Sequence, residues 1–179
     1  LPIKELSGIA HDNGVYFFVD GAQGAGVTEI DIKKQGIDCL CVPGHKGLLG
    51  PMGTGALIHK NLDFSTIIEG GTGSSSFDFS QPPMYPERLE SGTLNVPCIC
   101  GLRRGIDVVE KLGVSRIFAK ERKVSEAIFD GLKKFPNVTL YQDDYDASRF
   151  APLVSFNIKN LHSEQVCAYL NNNGIAVRG

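Results

Sequence analysis

The segment Pro43–Gly55 constrains this chain more than any other. It holds Gly44, Gly47, Gly50, Gly53 and Gly55 with Pro43 and Pro51, and it lies between two short apolar runs, Ile37–Val42 and Ala56–His59. Glycine opens backbone angles closed to other residues, and proline fixes φ and removes a donor. A segment dense in both continues neither helix nor strand, so it reads as a shaped turn between two buried strands. Lys46 sits inside that turn, directly after His45.

Upstream, Val15–Val19 reads as a buried strand that brings Asp20 to its carboxyl end, followed by Gly21, Ala22 and Gln23. Ligands of open α/β sheets bind at that edge. Ile3–Asn13 reads as a helix leading into this strand, and Ile30–Gln35 as a short helical turn stopped by Gly36. The alternation predicts the βαβ-like order of a mostly parallel sheet.

A lysine in a glycine-dense turn, with an acid, an amide and an imidazole close in sequence, supplies the groups that hold an aldehyde cofactor as a Schiff base. The pattern points to pyridoxal 5'-phosphate. Lys46 is the candidate amine, since burial and nearby cations lower a lysine pKa enough to make it nucleophilic. Asp20 would keep the pyridine nitrogen protonated, the state in which the ring draws electrons. Gln23 would donate its amide to the phenolic oxygen, while His45 and neighbouring backbone N–H groups would meet the phosphate. Each residue alone has an ordinary explanation, because an Asp after a strand is commonly a turn residue and a His-Lys pair among glycines a solvated turn. The combination carries the reading. A phosphate-binding Walker A loop is excluded, because Lys46 precedes Gly47 rather than a hydroxyl residue.

The blocks Asp20-Gly21-Ala22-Gln23, then Pro43-Gly44-His45-Lys46 with Gly50-Pro51 and Gly53-Thr54-Gly55, then Glu90-Ser91-Gly92-Thr93-Leu94-Asn95 resemble the class V aminotransferase family in order and interval. Within it they are most similar to the cysteine desulfurase and selenocysteine lyase group. The resemblance implies a fold-type I pyridoxal-phosphate enzyme of α/β class. Part of its large, mostly parallel sheet domain would lie in residues 1–98, and most of a small α+β C-terminal domain in 99–179. It implies the same roles for Lys46, Asp20, Gln23 and His45, and it adds Thr93, which would reach the phosphate of a neighbouring subunit. A homodimer with shared sites follows from that. The implied reaction removes sulfur from the amino acid L-cysteine, leaving L-alanine and an enzyme-bound persulfide that a sulfur-acceptor protein could take. Transamination and selenocysteine or other β-lyase chemistry use the same scaffold, and a fold does not fix a reaction. From outside the enzyme class comes a catalytically silent fragment or half-subunit.

Two departures stand out. Many desulfurases carry a serine where this chain has Pro43, which offers neither hydroxyl nor N–H. The resemblance also covers only the second half of such proteins. It places the nucleophilic cysteine beyond Gly179, the ring-stacking residue before Leu1, and the C-terminal arginine clamp outside the chain. Arg178 lies where some relatives face the substrate, and it reads equally well as a strand-end surface arginine.

Downstream, Glu69–Glu90 is a long loop punctuated by Gly70, Gly71, Gly73, Pro82, Pro83 and Pro86, and the resemblance puts it near the active site and dimer interface. Ile99, Leu102, Ile106, Val109 and Leu112 recur at helical spacing up to Gly113. Ser115–Phe135 repeats the pattern with Ile117, Val124, Ile128 and Leu132 on one face. Val138–Tyr141 and Leu153–Ile158 read as strands, Ser163 and Glu164 open a further helix, and Ile175–Val177 begins a last strand.

Composition narrows the function classes. A net charge of −2 over 179 residues leaves no electrostatic footprint for nucleic acid or an anionic membrane. No apolar stretch approaches the ~20 residues that span a bilayer, and cytoplasm is the expected location. Five cysteines, an odd number, argue against a secreted disulfide framework. Cys39 and Cys41 share one strand face, and Cys98 and Cys100 flank Ile99. These C-x-C pairs lack ordinary zinc spacing, so no metal is expected.

Overall fold

The computed structural model describes residues 1–74, 77–142, 144–146 and 150–179. It divides into two compact units, Leu1–Ser115 and Arg116–Gly179. The sequence boundary was expected near residue 98, whereas the first unit also includes the following helix.

In the first unit, α1 (Ile3–Asp12) ends where Gly14 turns to φ +68° and Val15 N–H bonds back to Ala10 O at 2.9 Å. Ser7 on its inner face is 3% exposed, and its hydroxyl donates to Gln35 O at 2.6 Å. Three strands follow: β1 (Phe18–Asp20), β2 (Cys39–Pro43) and β3 (Gly55–His59), in that spatial order. β1 and β2 are parallel, with Asp20 opposite Cys41. β2 and β3 are antiparallel, with Cys41 opposite Leu57. The mostly parallel expectation therefore holds for one of the two pairings. Pro43–Gly55 is too short a connection for a parallel crossover, so it folds β3 back on β2.

Side chains alternate across β2, and Leu40 and Val42 join Ile37 in the buried core, packed by Val19, Ile32 and Leu48 among others. β1 is shorter than Val15–Val19 and shifted toward Asp20, because pairing starts only where Phe18 meets Cys39. Ile30–Gln35 forms the expected short turn, with Gln35 N–H bonded to Asp31 O at 2.9 Å, and Gly36 sits at φ +67° against the Ser7 hydroxyl. α2 (Val96–Leu112) starts at Asn95, whose side chain accepts from Cys98 N–H, and stops at Gly113 with φ +81°. Its buried residues are Leu102, Gly105 and Val109. Among the described residues of Glu69–Glu90, the only helical element is a 3-10 turn, Glu87–Leu89.

α3 (Val114–Leu132) crosses the boundary between the units. Its buried residues are Ser125 and Phe129, while Val124 is 56% and Ile128 47% exposed. The inward stripe is thus rotated from the aliphatic one expected from spacing, because Phe129 pairs with the Tyr145 ring at 5.9 Å within the second unit. There β4 (Val138–Leu140) and β5 (Phe156–Ile158) pair antiparallel. α4 (Ser163–Asn172) follows, its start fixed by a reciprocal box between His162 and Gln165. Ile175–Val177 is not a strand: Ile175 N–H instead bonds Leu170 O behind the helix, and no described strand pairs with this segment. No helix among the described residues is long and apolar enough to cross a membrane.

Candidate active site

The site forms at the carboxyl ends of β1 and β2. Strand register puts Asp20 and Cys41 side by side on the sheet face opposite the Leu40–Val42 core. Gly21 N–H caps the pairing at Cys41 O (2.8 Å), and Ala22 N–H donates to Asp20 Oδ1 at 2.9 Å. That second bond orients the carboxylate. Gly21 packs closely against the core here, since a Cβ would lie 2.8 Å from Leu40 Cδ1 and 3.0 Å from Val42 Cγ1.

Beyond β2 the Lys46 turn is built from backbone bonds. Gly44 N–H reaches Thr54 O at 2.7 Å, Gly50 N–H reaches Gly44 O at 2.7 Å, and Leu49 N–H reaches Lys46 O at 2.9 Å. The Thr54 hydroxyl donates to Pro51 O at 2.6 Å. Gly26 (φ +80°) and Gly47 cross backbone to backbone, and a Cβ on either would strike the other segment's carbonyl. The Asp20–Thr28 segment and the Lys46 turn are thereby held against one another.

Asp20, Ala22, Cys41, Pro43, His45 and Lys46 line one cavity of about 520 Å³. Asp20, His45 and Lys46 are therefore brought together, with all three side chains on solvent-accessible residues. Gln23 is exposed one residue beyond the cavity-lining Ala22. Thr93 is exposed in the segment before α2 and does not line this cavity. Arg178 belongs to the second unit, where it lines a different cavity of about 530 Å³ along β5 and α4.

Cys41 and Ala22 were not named as site residues from sequence. Alternation along β2 puts Cys41 beside Asp20, but that needs the register of two strands, which one strand's pattern does not contain. The two strand cysteines share a face, yet Cys39 is fully buried and Cys41 exposed. Burial, with Cys41 beside it, pushes the Cys39 thiol up to about 11, so Cys39 is an inert thiol at neutral pH.

At the opposite end of the strands, Asp38 Oδ2 accepts from Phe17 N–H at 2.8 Å and lies 2.7 Å from His11 Nε2. The Phe17 bond, then His11 and Lys60, hold the Asp38 carboxyl below its ordinary value against the opposing effect of burial. This pair ties α1, β1 and β2 together away from the site. No group of three or more His, Cys, Asp or Glu gathers as a metal site among the described residues.

The chain belongs to the aminotransferase class-V family, which it matches over residues 1–179. It is 35% identical to a probable cysteine desulfurase of Pyrococcus abyssi, over 98% of this chain and 45% of that protein. It is 31% identical to a cysteine desulfurase of Haloferax volcanii, over 99% of this chain and 42% of that protein. Its fold matches the apo cysteine desulfurase of Thermococcus onnurineus with a TM-score of 0.80 at 34% identity, over 98% of this chain and 45% of that one. It matches the Escherichia coli cysteine desulfurase CsdA with a TM-score of 0.84 at 27% identity, over 98% and 44%. The chain thus spans less than half the length of these relatives.

Proposed function

We propose that this chain is the lysine-bearing part of a pyridoxal-phosphate-dependent cysteine desulfurase. The observation that carries the reading is the meeting of Asp20, His45 and Lys46 in one cavity at the carboxyl ends of β1 and β2, in a chain whose relatives are named cysteine desulfurases.

The residues fit the cofactor by donor type. Asp20 offers a carboxylate, already oriented by Ala22 N–H, to a pyridine nitrogen; Lys46 offers the amine; His45 offers an imidazole for phosphate. Gln23 stands one residue past the cavity wall, within the same turn, for the phenolic oxygen. When bound, the cofactor supplies an electron sink for charge developing at the substrate's α-carbon. Lys46 then moves the α-proton, and Asp20 holds a proton at the ring nitrogen by keeping a negative charge beside it. Pro43 lines the cavity without a hydroxyl; in this reading the phosphate takes donors from His45, from neighbouring backbone N–H groups and from Thr93 of a second subunit in a shared-site homodimer. The Glu69–Glu90 loop, which precedes Thr93, borders that interface. Arg178 lies in the second unit, and its substrate-facing role rests on the resemblance alone. In this reading residues 1–98 are part of a large, mostly parallel sheet domain and 99–179 most of a small α+β domain. On the same reading the persulfide passes from the enzyme to an acceptor protein, and the enzyme works in the cytoplasm.

The test is product analysis with the full-length protein. L-Cysteine in the presence of a thiol reductant should yield alanine and sulfide in equal amounts. Pyruvate without alanine would mark another β-lyase, keto-acid-dependent amino transfer a transaminase, and either outcome would overturn the desulfurase assignment.

A further inference from the structure

We infer that α2 is the positioning element for Lys46: Gly101 and Gly105, one helical turn apart, seat the Leu48–Pro51 segment and thereby fix where the Lys46 amine stands. This rests on the proposed role of Lys46.

The two glycines occupy a face of α2 where no side chain fits. A Cβ on Gly105 would strike Leu48 O and lie 2.7 Å from Leu49 C and 2.8 Å from Leu49 O. A Cβ on Gly101 would lie 2.8 Å from Pro51 Cγ and 3.1 Å from Pro51 Cδ. Between them Leu102, 8% exposed, reaches the turn's other glycines: a Cβ on Gly44 would be 3.0 Å from Leu102 Cδ1, and one on Gly50 2.7 Å from the same atom. α2 therefore touches the chain on both sides of His45-Lys46. Glycine weakens a helix interior relative to alanine, so a pair of them facing this turn is explained by the close approach. Gly131 in α3 offers the contrast, with nothing within 4 Å of its Cβ position.

The coupling to Lys46 is covalent and hydrogen-bonded. Leu49 is in the left-handed region at φ +57°, and its N–H bonds Lys46 O at 2.9 Å. A non-glycine residue holds that conformation only where its surroundings enforce it. Pushing Leu48 and Leu49 away from α2 moves the carbonyl of Lys46 with them. Gly26 and Gly47 close the opposite side of the turn, backbone against backbone.

The experiment uses the full-length protein with bound pyridoxal phosphate, reading the pH midpoint of the cofactor's visible band and the rate at which borohydride fixes it to Lys46. Gly101→Ala should shift the midpoint and slow fixation by about tenfold, the scale of a sub-ångström misplacement. Adding Pro51→Ala removes the obstructing Cγ and Cδ and should restore both readings. Gly131→Ala should change neither. If Gly101→Ala fails to fold or to hold cofactor, the Gly101→Ala/Pro51→Ala protein decides: recovery supports the contact, and no recovery overturns it. Wild-type readings in folded Gly101→Ala and Gly105→Val would also overturn the inference while leaving the Lys46 assignment standing. Fixation of wild-type cofactor on another lysine would overturn both.

Discussion

The turn Pro43–Gly55 and the loop Glu69–Glu90 share a composition of glycine and proline but differ in what surrounds them. Around Gly44, Gly47, Gly50 and Gly55, other parts of the chain stand where a side chain would go. Around Gly71 and Gly73 there is open space, and Phe77 and Phe79 are fully exposed. The loop is tied mainly at its base, where Gln81 bonds Glu87 O and Glu90 O and where Tyr85 OH accepts from Phe64 N–H at 2.8 Å. The first segment uses glycine for close approach and so fixes a lysine. In the second, a Cβ on Gly71 or Gly73 would meet nothing, and one on Gly70 alone would approach another residue, 3.3 Å from Ser91 Cβ. Gly53 is the one open position of the first.

Mutations can break that contrast, and the largest effect should come from Lys46→Ala. Loss of the amine should lower cysteine turnover by ~10²–10⁴-fold, measured with saturating pyridoxal phosphate, while noncovalent cofactor binding persists. Turnover near wild type would separate the tight turn from any chemistry. Asp20→Asn should come next: losing a charged hydrogen bond to the ring nitrogen is worth about 2–3 kcal/mol, roughly two decades in rate. Cofactor content should be measured alongside, since retained binding with normal activity would make Asp20 a turn residue only.

The glycine comparison itself is tested by stability. Gly47→Ala drives a methyl into the Ala25 carbonyl and should cost about 1–3 kcal/mol in urea unfolding, whereas an alanine at Gly71 should stay within about 0.5 kcal/mol. Equal losses at the two positions would erase the distinction between segments.

A smaller effect concerns Asp38, at the far end of the strands from the site. Its folded pKa is depressed from 3.8, so its contribution is present above the unfolded value and is lost as pH falls through the folded one. Wild type should therefore lose stability below about pH 4 more steeply than Asp38→Asn, whose pH 7 stability should be lower by about 1 kcal/mol. Parallel acid profiles would show that the Asp38 carboxylate, through its Phe17 bond and its His11 contact, contributes nothing.

Much of the first unit was legible because local signals agreed there. Gly113 stops a helix, Asp20 follows a β-rich run, and Pro43–Gly55 admits one kind of structure. What escaped depends on pairing between distant segments. The antiparallel direction of β3, the neighbourhood of Cys41 and Asp20, and the contact of α2 with the lysine turn each need two segments placed together. In α3, Val124 and Ile128 fit helical spacing as well as Ser125 and Phe129 do, and spacing does not choose between the stripes. Ile175–Val177 has strand composition, but composition supplies no partner strand. At the site, the strand-end acid and the lysine turn were readable from residue order, and their shared cavity was not. Gln23, Thr93 and Arg178 stand outside that cavity, and their roles are assigned through the family resemblance.

Borohydride reduction of the full-length protein with bound pyridoxal phosphate, followed by peptide mapping, tests the central claim most directly. The account predicts loss of the visible band and a single modified peptide, with the cofactor fixed to the Nζ of Lys46. A modified lysine elsewhere, or no modified peptide from a protein that binds the cofactor, would contradict it.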